Sequence, residues 1–147
     1  MSYFLNGFAE ILGRGTLLIY MFAGVLLGMV LGALPGLTGS LGIALMLPFT
    51  YHMNALTALV FLLSIYTGGL FGGAITAIMI NTPGSPANMM TMLDGYPMAR
   101  RGEGGRALGI ALLASVLGGV IGVLFLVVAT EPLATLALKF GPGEMFM

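Results

Sequence analysis

Between Gly15 and Leu93 the chain carries no Lys, Arg, Asp or Glu, yet that run is twice broken by Pro-Gly motifs, at Pro35-Gly36 and Pro83-Gly84. Both halves of this feature constrain the fold. An uncharged run of this length cannot cover a water-facing surface. In lipid, every backbone polar group must find its partner within the protein, so the spanning parts must be helices or a closed barrel. The apolar segments here have helical length, which predicts an all-α integral membrane protein. The breaks then need a reason of their own. Irregular backbone survives at membrane depth only where it lines a polar cavity or is buried in protein.

Composition agrees. Charged residues are 7% of the 147 and the hydrophobic set is 59%, against about a quarter charged in a soluble domain. Formal net charge is zero, which gives nucleic acid no electrostatic handle. With no Cys and a single His, His52, there is no disulfide framework, thiolate chemistry or metal cluster to expect. No Ser/His pair or intramembrane carboxylate pair suggests an enzyme. The first charge is Glu10 and no basic n-region precedes the first apolar segment, so that segment reads as a retained helix and not as a cleaved signal.

Along the chain, residues 1–14 read as a short interfacial helix, with Phe4, Leu5, Phe8, Ile11 and Leu12 at helical spacing. A first membrane helix is expected over 16–34, where roughly 19 residues reach ~28 Å. Gly24, Gly28 and Gly32 recur every fourth residue and mark a face for close helix approach. Pro35-Gly36 stops that helix. Thr38 or Ser40 can cap a short new one from about Leu41, ending at Pro48. The 35–50 segment is then re-entrant, being too short to span.

A broken helix is expected over 55–93. Gly68-Gly69 and Gly72-Gly73 are either a contact face or a point of unwinding. After Asn81-Thr82-Pro83-Gly84, Ser85 is placed to cap and Pro86 to open a second short helix through Leu93. The polar segment 94–106, with Arg100, Arg101 and Arg106, is predicted to be a cytoplasmic loop by its Arg excess. A plain spanning helix is expected over 107–130. If the helices at 16–34 and 55–80 each cross once, the N-terminus is cytoplasmic as well.

The chemistry belongs to the two interrupted segments. Broken helices in transporters aim N-terminal N–H groups at anions and unwound carbonyls at cations. One helix terminus stabilises an anion by only about 0.3–1 kcal/mol, up to about 2 when partly buried. Desolvating a multiply charged anion costs far more, and no Lys or Arg lies in this run to offset it. An anion here therefore calls for a co-entering cation. With no Asp or Glu in the run, Na⁺ held by backbone carbonyls and Ser, Thr or Asn oxygens is favoured over H⁺. Ser64, Thr67 and Thr76 are expected to bond their own helix backbone, and His52 to sit in an interfacial turn.

Several stretches carry a family resemblance. These are Gly32-x-Leu34-Pro35-Gly36-Leu37, Ala44-Leu45-x-Leu47-Pro48-Phe49-Thr50, and Ile65-Tyr66-x-Gly68-Gly69-x-Phe71-Gly72-Gly73-Ala74-Ile75-Thr76-Ala77-Ile78. The most specific is Asn81-x-Pro83-Gly84-Ser85-Pro86-Ala87, continuing through Asp94-Gly95-Tyr96-Pro97-Met98-Ala99-Arg100 to Gly105-Arg106-Ala107-Leu108-Gly109. From about Gly28 to Gly122 the chain resembles the large membrane subunit of the tripartite tricarboxylate transporters. The resemblance implies a multi-pass subunit of the bacterial inner membrane. It implies secondary, cation-driven symport of citrate-like carboxylates, a small membrane subunit and a periplasmic solute-binding protein as partners, and no cofactor beyond the coupling ion.

It also implies the first repeat of an inverted-repeat transporter, because the family's subunit is far longer and this chain resembles its front portion. A substrate or ion role falls on Pro35, Gly36, Thr38, Gly39, Ser40, Gly68, Gly69, Gly72, Gly73, Asn81, Pro83, Gly84, Ser85 and Ala87. Ala74 departs from the pattern, standing where many relatives have Ser, which removes one hydroxyl. The competing expectation is a glycine-packed membrane scaffold, or a truncated fragment that does not transport alone.

Overall fold

A computed structural model describes residues 13–137, with side chains through Thr135, together with Gly7 and Ile11. The expected surface helix over 1–14 falls almost wholly outside the described residues. The chain divides into two compact units, Met1–Leu112 and Leu113–Met147.

From Gly15 onward the described chain forms five α-helices: α1 (Gly15–Ala33), α2 (Gly39–Met46), α3 (Ala55–Ile80), α4 (Met89–Arg100) and α5 (Gly104–Ala137). Two 3₁₀ turns, Leu47–His52 and Pro86–Asn88, join α2 to α3 and lead into α4. Among the described residues there is no strand. Three helices, α1, α3 and α5 as far as Thr135, are long and apolar enough to cross a membrane.

The first unit is built on α1 against α3, and glycine sets their distance. A Cβ added at Gly24, Gly28 or Gly32 would come within 3.0 Å of the carbonyl oxygen of Phe61, Ile65 or Gly69 respectively. In return, a Cβ on Gly68 or Gly72 would strike the carbonyls of Val25 and Met29. The small-residue stripes thus interlock backbone to backbone, which is how helices associate where lipid removes the hydrophobic drive. Ile65, at 0% exposure, lies at the centre of this contact.

The register also fixes direction. Positions 24, 28 and 32 meet 61, 65 and 69 in ascending order, so α1 and α3 run parallel. The segment between them must therefore return. Gly39 lies against Tyr66 and Gly69, and Gly42 against Ile65, so α2 runs back along α3 toward its start. The return limb closes with Asn54, whose side-chain oxygen accepts from Thr57 N–H at 2.9 Å and from the Thr57 hydroxyl at 2.7 Å. That cap starts α3.

α3 is continuous over 26 residues. The Gly pairs do not unwind it; they are its contact faces, and the break expected inside 55–93 lies after Ile80. There Asn81 adopts φ 57° and ψ 30° and its N–H reaches the Thr76 carbonyl. Asn tolerates this left-handed conformation better than other side chains. The chain then turns back beside α3 as far as Gly73, and α4 sets out forward again, with Gly95 packed on Ile78.

Two further expectations change. The polar segment 94–106 is mostly helix, since Asp94–Arg100 continue α4 through Pro97. Its turn is confined to Arg101–Glu103. Glu103 N–H donates to the Met98 carbonyl and Gly102 N–H to Ala99, each at 3.0 Å, with Gly102 at φ 84°. This is a Schellman closure, which releases the helix in one residue where only Gly is unstrained. α5 then begins at Gly104, not 107. In the second unit it passes Thr130 and continues through Pro132 to Ala137.

Sidedness changes as well. With α1 and α3 parallel, the Gly15 end and the Arg101–Glu103 turn lie at opposite ends of α3. The N-terminal end of α1 and the Arg-rich turn therefore lie at opposite ends of the α1–α3 pair; with both helices spanning, they would not share the membrane face expected above.

Candidate functional site

The two interrupted segments meet on α3. Gly39, the first residue of α2, presses on Gly69, whose added Cβ would lie 2.7 Å from the Gly39 Cα. One turn further along, Gly73 faces Gly84 and Asn88. Gly84 is wedged between Gly73 and the Gly32 carbonyl at the end of α1. So the end of α1, the start of α2 and the loop before α4 converge on Gly69–Gly73. That level lies ~2–8 Å past the middle of α3 at 1.5 Å per residue. If α3 spans the bilayer, the junction sits near mid-depth.

The directions of the helices give the junction its electrostatics. α2 leaves it running backward along α3 and α4 leaves it running forward, so their N-terminal ends point toward each other. In α2 the N–H groups of Gly39 and Ser40 precede the first intrahelical bonds, while at α4 the 3₁₀ turn already engages Asn88 N–H with the Ser85 carbonyl and Met89 N–H with that of Pro86; both starts carry the positive end of the helix dipole. The last-turn carbonyls of α1 bring the negative end of a third helix to the same place. Such a junction offers donors to an anion and acceptors to a cation without any formal charge.

Side chains complete it. Thr38 caps α2, its hydroxyl oxygen accepting from Leu41 N–H at 3.3 Å. Ser85 stands at the N-cap of the turn into α4, yet its hydroxyl makes no capping bond. It accepts instead from the Asn88 side-chain amide at 3.2 Å. The capping expected of Ser85 is thus replaced by a side-chain pair, because Pro86 removes a donor and the 3₁₀ geometry of Pro86–Asn88 directs the amide of Asn88 back toward it. Both hydroxyl protons remain to donate.

The sequence-derived residues divide. Gly39, Gly69, Gly73, Gly84 and Ser85 are brought together at the junction. Thr38 and Ser40 flank it on the first turn of α2, while Pro35 and Gly36 are exposed in the preceding loop, Gly36 at φ 90°. Pro83 is half-buried beside Gly84 and Ala87 is exposed beyond it. Gly68 and Gly72 face α1, so their position serves helix approach and not the junction. Asn81 is exposed at the far end of α3, eight residues or ~12 Å beyond Gly73. Ser64, Thr67 and Thr76 bond the carbonyls of Val60, of Leu63 and Ser64, and of Gly73, as the sequence suggested. His52 is exposed at the end of its 3₁₀ turn.

Sequence reasoning missed Asn88. It is 6% exposed, and its amide donates to the Leu70 carbonyl at 3.2 Å across 18 residues of sequence. The buried Thr50, Thr57 and Ser64 bond only within three or four residues of themselves. A carboxamide at the start of an apolar helix, three residues after Ser85, was the signal available.

A concavity of about 170 Å³ lies away from this junction, between α4, Ile78 and the first turns of α5, with Asp94 as its one carboxylate. Its remaining walls are mainly apolar, among them Met90, Met98 and Ile110. Asp94 follows Asn88 by six residues, ~9 Å along the helix.

Comparison with known proteins places this architecture. The family model described as "Tripartite tricarboxylate transporter TctA family" matches residues 18–147. An uncharacterised 52.8 kDa protein in the TAR-I ttuC' 3' region of Agrobacterium vitis is 45% identical over 129 residues. That match covers 88% of this chain and 26% of the relative, so the chain spans about a quarter of that protein's length. No solved structure matches.

Proposed function

Because the chain belongs to the tripartite tricarboxylate transporter TctA family, we propose that it forms part of the membrane subunit of a secondary transporter. The subunit imports a tricarboxylate or a related carboxylate together with a coupling cation. A periplasmic binding protein delivers the substrate, and a small membrane subunit completes the assembly. The membrane is the bacterial inner membrane. The Arg100–Arg106 end of α3 faces the cytoplasm by its Arg excess, which places the Gly15 end on the periplasmic side. The coupling ion is Na⁺, with H⁺ as the alternative.

One observation carries the reading: two helix starts face each other on Gly69–Gly73, in surroundings without formal charge. Opposed N-termini suit an anion, and their weak individual contribution is why a cation must accompany it. The chain supplies one set of such elements, and a second set from a further, inverted repeat would enclose the substrate.

The scaffold reading has its own support, since the glycine stripes do hold α1 on α3. It leaves the facing helix starts without a purpose. Uptake of a radiolabelled tricarboxylate by vesicles containing a full-length subunit with this sequence, together with its partners, separates the two. Ser85→Ala should lower cation-dependent uptake about tenfold, as loss of one hydrogen bond to a charged group predicts, at unchanged membrane insertion. Uptake equal to that of the unmodified protein would favour the scaffold.

A further inference from the structure

Asn88 is more than a strut. Its side-chain nitrogen faces the Leu70 carbonyl and the Ser85 hydroxyl. The carbonyl can only accept, so it fixes which end of the carboxamide is nitrogen. Both amide hydrogens are then used, and Oδ1 is left as a free acceptor on a side chain only 6% exposed. No fully enclosed side-chain oxygen or nitrogen among the described residues lacks a partner. Oδ1, having none, therefore keeps an opening. Gly73 makes the placement possible, since a Cβ there would collide with the amide nitrogen.

The chemistry of that oxygen selects its ligand. A carboxylate would meet it acceptor to acceptor, and the amide has no proton left to offer an anion. A cation, by contrast, is drawn to a carboxamide oxygen, and hard monovalent and divalent ions prefer oxygen ligands. The α1 carbonyl end reaches the same junction through the Gly32–Gly84 contact, and its negative dipole offsets part of the positive ends of α2 and α4 that meet there. With no Asp or Glu between Gly15 and Leu93, a neutral oxygen set suits a single positive charge. We propose that Asn88 Oδ1 is a ligand of the coupling cation, a monovalent ion of the Na⁺ type. This rests on the cation-coupled reading above.

The test is thermal unfolding of a purified full-length subunit with this sequence in NaCl and in choline chloride at equal ionic strength. A ligand that binds only the folded state raises the midpoint. The unmodified protein should be stabilised by Na⁺. In Asn88→Leu the Na⁺ concentration giving half the stabilisation should rise at least tenfold. Asn88→Asp sets a carboxylate against the Leu70 carbonyl, so it should be less stable in choline chloride and gain more from Na⁺ than the unmodified protein. It decides the matter if the Leu variant does not fold. A residue that is only a strut would leave Asn88→Asp equally weakened in both salts, which would overturn the proposal. So would an Asn88→Leu protein with unchanged Na⁺ response. An unmodified protein indifferent to Na⁺ would remove the Na⁺ reading itself, and this assignment with it. Stabilisation by citrate in choline chloride that Asn88→Leu abolishes would make Asn88 a substrate contact and overturn its role as a cation ligand.

Discussion

Two asparagines do different work in this chain. Asn81 ends α3 by taking the left-handed conformation at φ 57°, and this lets the chain fold back onto Gly73. Most side chains pay roughly 1–2 kcal/mol there. Asn81→Gly should therefore leave the unfolding midpoint close to that of the unmodified protein, while Asn81→Ala should cost about 1 kcal/mol. Thermal melts of the two variants compare them directly. Asn88 is fixed by Ser85 nearby and by the Leu70 carbonyl 18 residues away, and the second partner could not be read in advance. Nothing in the local spacing around Ser85 and Pro86 says that residue 88 will meet the Leu70 carbonyl. Thr38 was legible because capping is a local event. Ser85 carried the same local signal, and a neighbour's amide overrode it.

At the scale of elements, glycine spacing was informative but ambiguous. The stripe at Gly24, Gly28 and Gly32 could be read as a contact face from its period alone. The four glycines of α3 split only once their partners are known: Gly68 and Gly72 meet α1, Gly69 meets both α1 and the start of α2, and Gly73 meets the returning loop. A helix carrying close neighbours on several sides needs Gly in pairs, which looks the same in sequence as a point of unwinding. The consequence is graded. Gly28→Leu drives a side chain into the Ile65 carbonyl and should separate α1 from α3, costing 1–3 kcal/mol or more. Gly105→Ala, where a Cβ meets nothing within 4 Å, should be neutral or slightly stabilising. Fluorescence-detected size exclusion after heating would rank them, and equal survival of both would contradict this account of the stripe. The Asp94–Arg106 segment was misread because its charges resemble a loop, while its helix stop is a single Gly102.

For the whole first unit, the parallel course of α1 and α3 is the organising fact. It makes 34–54 a limb returning toward the start of α3 and 81–100 a limb folding in from the opposite end. The two limbs turn on adjacent levels of α3, Gly69 and Gly73. Apolar length and the Pro-Gly breaks foretold that both segments are irregular. They could not foretell that the segments meet, since that depends on the register of α1 on α3. On the function proposed above, both limbs line one binding site.

The most direct test uses single cysteines; these 147 residues contain no Cys, and any in the rest of the full-length subunit would be replaced first. Thr38→Cys and Ser85→Cys, each in a full-length subunit with this sequence, would be labelled with a small thiol reagent in the presence and absence of citrate plus Na⁺. Substrate and ion together should slow labelling at both positions, at matching concentrations. Protection at one position alone, or at neither while uptake persists, would contradict a shared site.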